Sequence, residues 1–206
     1  GPRPIDYHIK NFAKMSVSIK QVGEFIEAKV TSLKSGRFVL EYPSVGTTEN
    51  ILMASALTNG VTEIVNAALE PEVLDLIVVL KKMGAKISIY APANIVIEGV
   101  SELRPVEHNI ICDRLEAGSF ILAAALTKGE ITIPNAQAFF LDVFLEKLVE
   151  MGHSIKIGEN GLGIWFKASD NPKAVSFKTM PYPGFPTDLQ APMTSLLCVS
   201  SGTSII

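Results

Sequence analysis

The sequence predicts an α/β protein of repeated βαβαββ units forming two lobes, and three observations carry that prediction. The composition suits a packed core, with 48% of the 206 residues hydrophobic and 19% charged. A block of residues recurs: Ala56-Leu57-Thr58-Asn59-Gly60, then Ile64-Val65-Asn66-Ala67, returns 69 residues later as Ala125-Leu126-Thr127-Lys128-Gly129, then Ile133-Pro134-Asn135-Ala136. Leu74-Asp75 and Met83-Gly84 return in step as Leu141-Asp142 and Met151-Gly152. Inside each repeat, stretches of helical spacing alternate with short runs of period 2.

Each element has its own signal. Ile5-Asp6 leading to Met15 supplies the tail half of one unit. In the next unit a helix is expected from about Thr48 to Asn59, closed by Gly60 as a left-handed C-cap. Thr62–Val65 follows as a strand. A second helix starts at Pro71, a favoured first helical position. Val73, Leu76, Ile77 and Leu80 share one of its faces, and Lys81 and Lys82 suit the negative end of its dipole. Two strands, Lys86–Tyr90 and Asn94–Glu98, are joined by Ala91-Pro92-Ala93. The following unit repeats the plan, with Ser154–Ile157 and Gly163–Lys167 around Glu159-Asn160-Gly161 and Trp165 expected in the core. Ser200-Ser201-Gly202 leading to Ser204-Ile205-Ile206 reads as the head of one more unit. The lobe boundary is placed near Ile110-Ile111, giving residues 1–110 and 111–206, with only part of each lobe present. One such unit cannot bury its helices and a sheet face alone, so several must pack together.

Charge and cysteine usage exclude several functions. The net charge is −3, which offers no basic excess for a nucleic-acid backbone. Apolar runs are broken well before the roughly 18 residues of a membrane span, and no signal-peptide pattern opens the chain. Cys112 and Cys198 lack metal spacing and are expected as buried thiols in a reducing compartment. His8, His108 and His153 are scattered, and no metal or cofactor is expected.

Three stretches depart from the repeat, and packing alone does not require them. In Arg3-Pro4-Ile5-Asp6-Tyr7-His8, Arg3 offers a planar fork of donors for phosphate or carboxylate, Pro4 fixes the backbone and Tyr7 suits a flat ring. A plain helix entry with Asp6 as cap is the alternative. In Pro43-Ser44-Val45-Gly46-Thr47-Thr48-Glu49-Asn50 a small-residue turn runs into a helix start, where free N–H groups and the dipole favour an anion. Ser44 adds a hydroxyl, and Gly46 allows close approach. The alternative is a Thr-capped helix, and the Gly-Lys-Ser/Thr ending of a P-loop is missing. In Pro181-Tyr182-Pro183-Gly184-Phe185-Pro186-Thr187-Asp188-Leu189-Gln190, a rigid loop delivers Thr187 and Asp188 to a helix start. Asp188 is there either an N-cap or a general base for a hydroxyl. Asp113-Arg114-Leu115-Glu116 reads as a helix-start ion pair, with Arg114 also able to face an anion.

Together these stretches resemble the UDP-N-acetylglucosamine enolpyruvyl transferase family. The resemblance rests on Gly-x-Arg-Pro-Ile-Asp at 1–6, Pro-Ser-Val-Gly-x-Thr-Glu-Asn at 43–50 and Asn-Ala-x-x-Glu-Pro-Glu at 66–72. Asp-Arg-x-Glu-Ala-Gly at 113–118 and Pro-Gly-Phe-Pro-Thr-Asp-x-Gln-Ala at 183–191 complete it. It implies the inside-out α/β barrel of enolpyruvyl transferases, with the active site between two lobes. It also implies transfer of enolpyruvyl from phosphoenolpyruvate to the 3-hydroxyl of UDP-N-acetylglucosamine, the first committed step of peptidoglycan synthesis, in the bacterial cytoplasm.

Residue by residue, Arg3, Pro4, Ile5, Asp6 and Tyr7 match the segment that holds the nucleotide, with Arg3 also near phosphoenolpyruvate. Ser44, Val45 and Gly46 match the diphosphate turn. Asp188, beside Thr187, matches the carboxylate that takes the hydroxyl proton. At Tyr42 some relatives carry a lysine, and that cationic contact is missing here. The family's proton donor, a Cys or Asp on a mobile loop, would fall upstream of Gly1. The expected partners are therefore the two substrates and the remainder of the same polypeptide, without nucleic acid or membrane, and the 206-residue chain alone is expected to be inactive. Two alternatives stand beside this reading: a shikimate 3-phosphate enolpyruvyl transferase, and a non-catalytic nucleotide-sugar binding module on the same fold.

Overall fold

A computed structural model of the protein describes residues 5–206. The chain divides into two compact units, Gly1–Ile110 and Ile111–Ile206.

In the first unit, α1 (Asp6–Lys14) leads into a hairpin of β1 (Ser18–Val22) and β2 (Phe25–Lys29), turning at Gly23 with φ +62°. A complete βαβαββ unit follows: β3 (Arg37–Val39), α2 (Val45–Ala56), β4 (Val61–Val65), α3 (Pro71–Lys82), β5 (Lys86–Tyr90) and β6 (Asn94–Glu98). The sheet order is β3-β4-β6-β5, with β3 parallel to β4 and the other pairs antiparallel. Register aligns Phe38 with Ile64 and Ile95 in one row, and Thr62 with Ile97 and Ile87 in the next. All six are buried. Ile51, Leu52 and Ala56 of α2, with Val73, Ile77 and Leu80 of α3, belong to the same core. Arg37, Val39, Val61, Lys86 and Glu98 are exposed on the opposite sheet face. Each large apolar side chain taken fully out of water contributes about 1.5–3 kcal/mol, and this two-layer packing supplies it.

The second unit holds α4 (Arg114–Leu126), β7 (Glu130–Gln137), α5 (Asp142–Glu150), β8 (Ser154–Ile157), β9 (Leu162–Lys167) and α6 (Gln190–Leu197). Its sheet order, β7-β9-β8, repeats β4-β6-β5. No strand precedes α4 among the described residues of this unit. The core joins Ile121 and Leu122 of α4, Phe144 and Leu148 of α5, Ile164 and Phe166 of β9, and Met193 and Leu196 of α6.

Several expectations need correction. The helix read as Thr48–Asn59 spans Val45–Ala56, because Ser44 caps it and Leu57 ends it. Gly60 is therefore no C-cap; at φ +104° it makes the turn into β4. Asp6 is the first helical residue rather than the cap, a place held by Ile5. Trp165 is outside the core. In a strand, neighbours face opposite ways, and Ile164 and Phe166 claim the inner face. Trp165 instead donates from Nε1 to Glu130 at 2.8 Å, and Lys156 Nζ lies 4.7 Å from its ring centroid. Cys112 is half-buried and Cys198 exposed, since Cys198 follows α6 where its apolar face has ended. The terminal residues form no assigned strand; they run beside residues 173–177, with Ala174 N–H donating to Ser201 O and Phe177 N–H to Ile205 O.

Candidate functional site

The turn at Ser44 is built by hydroxyls. Ser44 Oγ receives the Thr47 N–H at 3.4 Å and donates to Thr47 Oγ1 at 3.1 Å. Thr48, fully buried, donates from Oγ1 to Ser44 O at 2.8 Å and accepts the Ala68 N–H at 3.0 Å. Asn66, at φ +58°, donates from Nδ2 to Leu40 O at 2.9 Å. The turn entering α2 is thus fastened from behind to the β4–α3 loop. α2 is 12 residues long and has no acidic residue in its first turn. Val45 and Gly46 lie there half-buried, before the helical ladder begins to use N–H donors. One turn further on, the Glu49 carboxyl is pushed up by burial first, then by Glu72 and Glu70. That reduces the tendency of Glu49 to carry negative charge near this helix start.

Opposite the turn lies α1. Ile5 and Asp6 are exposed and Tyr7 is half-buried. Arg3 and Pro4, both expected at the site, lie outside the described residues. His8 is the residue missed by sequence reasoning. Its Nδ1 meets Asn50 Nδ2 at 2.9 Å, and its ring sits where a Cβ on Gly46 would lie 3.2 Å from Cε1. Both motifs ended in a polar side chain, His8 and Asn50, and that was the available signal. The structure brings Ser44, Val45, Gly46, Asn50 and His8 together. Tyr42 is exposed, and neighbouring Glu41 pairs with Lys10.

In the second unit, Asp188 occupies a single 3₁₀ turn, Thr187–Leu189, ahead of α6. Its carboxylate is exposed and accepts no hydrogen bond among the described residues, so it is not an N-cap; Leu189 takes that position without a side-chain bond. The turn is held from both sides. Phe185, 1% exposed, stacks on Phe177 at 4.1 Å and meets Phe144 edge-on at 5.9 Å. Leu189 is fully buried against Gly118 of α4, where a Cβ would fall 2.6 Å from Leu189 Cδ1. Two apolar anchors four residues apart, on either side of Thr187 and Asp188, make a firmly placed, solvated carboxylate. Thr187, Gln190, Ala191 and Thr194 line a depression of about 410 Å³ beside it. Asp113 caps α4, accepting from Leu115 and Glu116 N–H at 2.8 and 3.1 Å, while buried Arg114 lies 5.5 Å from the Tyr182 ring centroid. Among the described residues no cluster of metal-ligating side chains occurs, and no helix is long and apolar enough to cross a membrane.

Comparison with known proteins places these features in context. The family model described as EPSP synthase (3-phosphoshikimate 1-carboxyvinyltransferase) matches residues 1–206. UDP-N-acetylglucosamine 1-carboxyvinyltransferase 1 of Caldanaerobacter subterraneus subsp. tengcongensis is 46% identical over all 206 residues, which span 49% of that protein. The UDP-N-acetylglucosamine 1-carboxyvinyltransferase of Halothermothrix orenii is 47% identical with the same coverage. The chain thus spans about half the length of the curated relatives it matches. Among solved structures, the enolpyruvyl transferase NikO from Streptomyces tendae matches with a TM-score of 0.85 at 22% identity, over 97% of this chain and 50% of that one. An EPSP synthase from Acinetobacter baumannii matches with a TM-score of 0.60 at 20% identity, over 87% of this chain and 42% of that one. These likenesses establish the enolpyruvyl transferase fold.

Proposed function

This chain belongs to the EPSP synthase (3-phosphoshikimate 1-carboxyvinyltransferase) family, and from that premise we propose that the protein transfers enolpyruvyl from phosphoenolpyruvate to the 3-hydroxyl of UDP-N-acetylglucosamine. The observation that carries the reading is the helix start at Ser44, an anion cradle with no acid in its first turn, in a chain 46–47% identical throughout to proteins named for that acceptor. The EPSP synthase structure, at 20% identity, supports the fold but not a shikimate acceptor.

In this reading Ser44 Oγ and the N–H groups of Val45 and Gly46 hold the diphosphate, helped by the α2 dipole. Ile5, Asp6 and Tyr7, with Arg3 and Pro4, hold the uridine. Asp188, beside Thr187, orients the sugar hydroxyl and takes its proton as the oxygen bonds to C2 of phosphoenolpyruvate. A proton added to C3 gives a tetrahedral intermediate. Loss of a C3 proton with departure of phosphate then yields the enol ether. Cationic groups, Arg3 among them, offset the intermediate's charge. We assign the reaction to the bacterial cytoplasm, as the first committed step of peptidoglycan synthesis.

Acceptor choice tests this. Isothermal titration of the 206-residue chain is expected to show binding of UDP-N-acetylglucosamine and none of shikimate 3-phosphate at equal concentration. The reverse preference would establish the shikimate alternative, and binding of neither would remove the proposed nucleotide site.

A further inference from the structure

We propose that His8 donates a hydrogen bond to the diphosphate of the bound nucleotide, as a contact additional to Ser44, Val45 and Gly46; this rests on the function proposed above. The argument begins with the proton on the ring. The Asn50 side-chain nitrogen can only donate, so at 2.9 Å from His8 Nδ1 it makes Nδ1 the acceptor. A neutral imidazole that accepts at Nδ1 carries its proton on Nε2. Asn50 therefore fixes both the tautomer and the ring plane.

The donating edge has a defined place. A Cβ on Gly46 would lie 3.2 Å from His8 Cε1 and 3.6 Å from Nε2, so this edge of the ring borders the first turn of α2. Nε2 has no hydrogen-bond partner among the described residues, and His8 is only half-buried. Its N–H thus stands ready beside the backbone donors of Val45 and Gly46. Any larger side chain at 46 would press on this ring, which gives the glycine a second role besides access to the backbone.

The test compares two probes on the full 206-residue chain: UDP, which carries the diphosphate, and uridine, which does not. A hydrogen bond to a charged group is worth enough that His8→Ala should weaken UDP binding about tenfold to a hundredfold. Uridine binding, followed by saturation-transfer NMR, should stay within about twofold of the parent on the same principle, and His8→Gln, which retains an N–H donor, should recover part of the UDP affinity. Unchanged UDP affinity in His8→Ala overturns the proposal. Equal loss of UDP and uridine also overturns it, since that marks a structural role. Failure of the unsubstituted chain to bind UDP overturns the function proposed above and this contact with it.

Discussion

Replacing Thr48 by valine removes one oxygen and leaves the side chain's shape almost unchanged. Thr48 Oγ1 accepts the N–H of Ala68, which is 1% exposed, so the substitution leaves a buried donor unpaired. That costs about 1–3 kcal/mol. The hydroxyl's own donation to Ser44 O is a smaller loss, because Ser44 O also receives the Thr48 N–H at 2.9 Å; about 0.5–1 kcal/mol covers it. The buried valine methyl returns about 0.8 kcal/mol. The net expectation is a destabilisation of about 1–3 kcal/mol, centred on the junction between the α2 start and the β4–α3 loop. Hydrogen exchange reads this directly. The Ala68 amide should lose protection in Thr48→Val and keep most of it in Thr48→Ser, and UDP affinity should fall with it. Parental protection at Ala68 in Thr48→Val would refute the idea that this hydroxyl fastens the turn.

Two further perturbations probe the second unit. His153 is 4% exposed and accepts the Ser169 N–H at Nδ1, and burial holds its pKa below the ordinary histidine value. The unfolded chain then binds the proton more readily than the folded one, so stability falls as pH drops through about 6.5. Denaturation midpoints at pH 8 and pH 5.5 should show that loss, and His153→Gln should flatten it; an unchanged pH slope in the variant would contradict the assignment. Gly118→Ala places a Cβ 2.6 Å from Leu189 Cδ1. Overpacking costs about 1–3 kcal/mol against a helix gain of about 1 kcal/mol, for a net loss of up to about 2 kcal/mol by urea unfolding. Because Leu189 anchors the Asp188 turn, the turnover proposed for the full-length protein should fall as well, and an equally stable full-length variant with parental turnover would contradict that coupling.

Much of the fold follows from local sequence. Lys86–Tyr90 and Ser154–Ile157 alternate, Asn94–Glu98 is a short β-branched run with polar ends, and the observed strands have those bounds. Pro71 marked the start of α3. The misses share a cause: they depend on partners distant in sequence. Alternation located the strand around Trp165 but not its inward face, which the burial of Ile164 and Phe166 decides. Thr48 looked like a helix-start residue because its hydroxyl suits a cap. In the fold that hydroxyl ties to Ala68, and Ser44 caps four residues earlier. Asp188 read equally well as cap or base until the 3₁₀ turn put Leu189 at the cap. His8 gave only a slight local signal, its place at the polar end of its motif, since its neighbours Gly46 and Asn50 belong to a helix some forty residues on.

In the proposed mechanism Asp188 takes the acceptor's proton. Phosphate release by the complete enzyme with UDP-N-acetylglucosamine and phosphoenolpyruvate, measured for the parent and for Asp188→Ala, tests it most directly. A positioned proton acceptor predicts a kcat lower by roughly 10²–10⁴-fold. A kcat within about threefold of the parent would contradict it, since a proton acceptor at this step cannot be removed so cheaply.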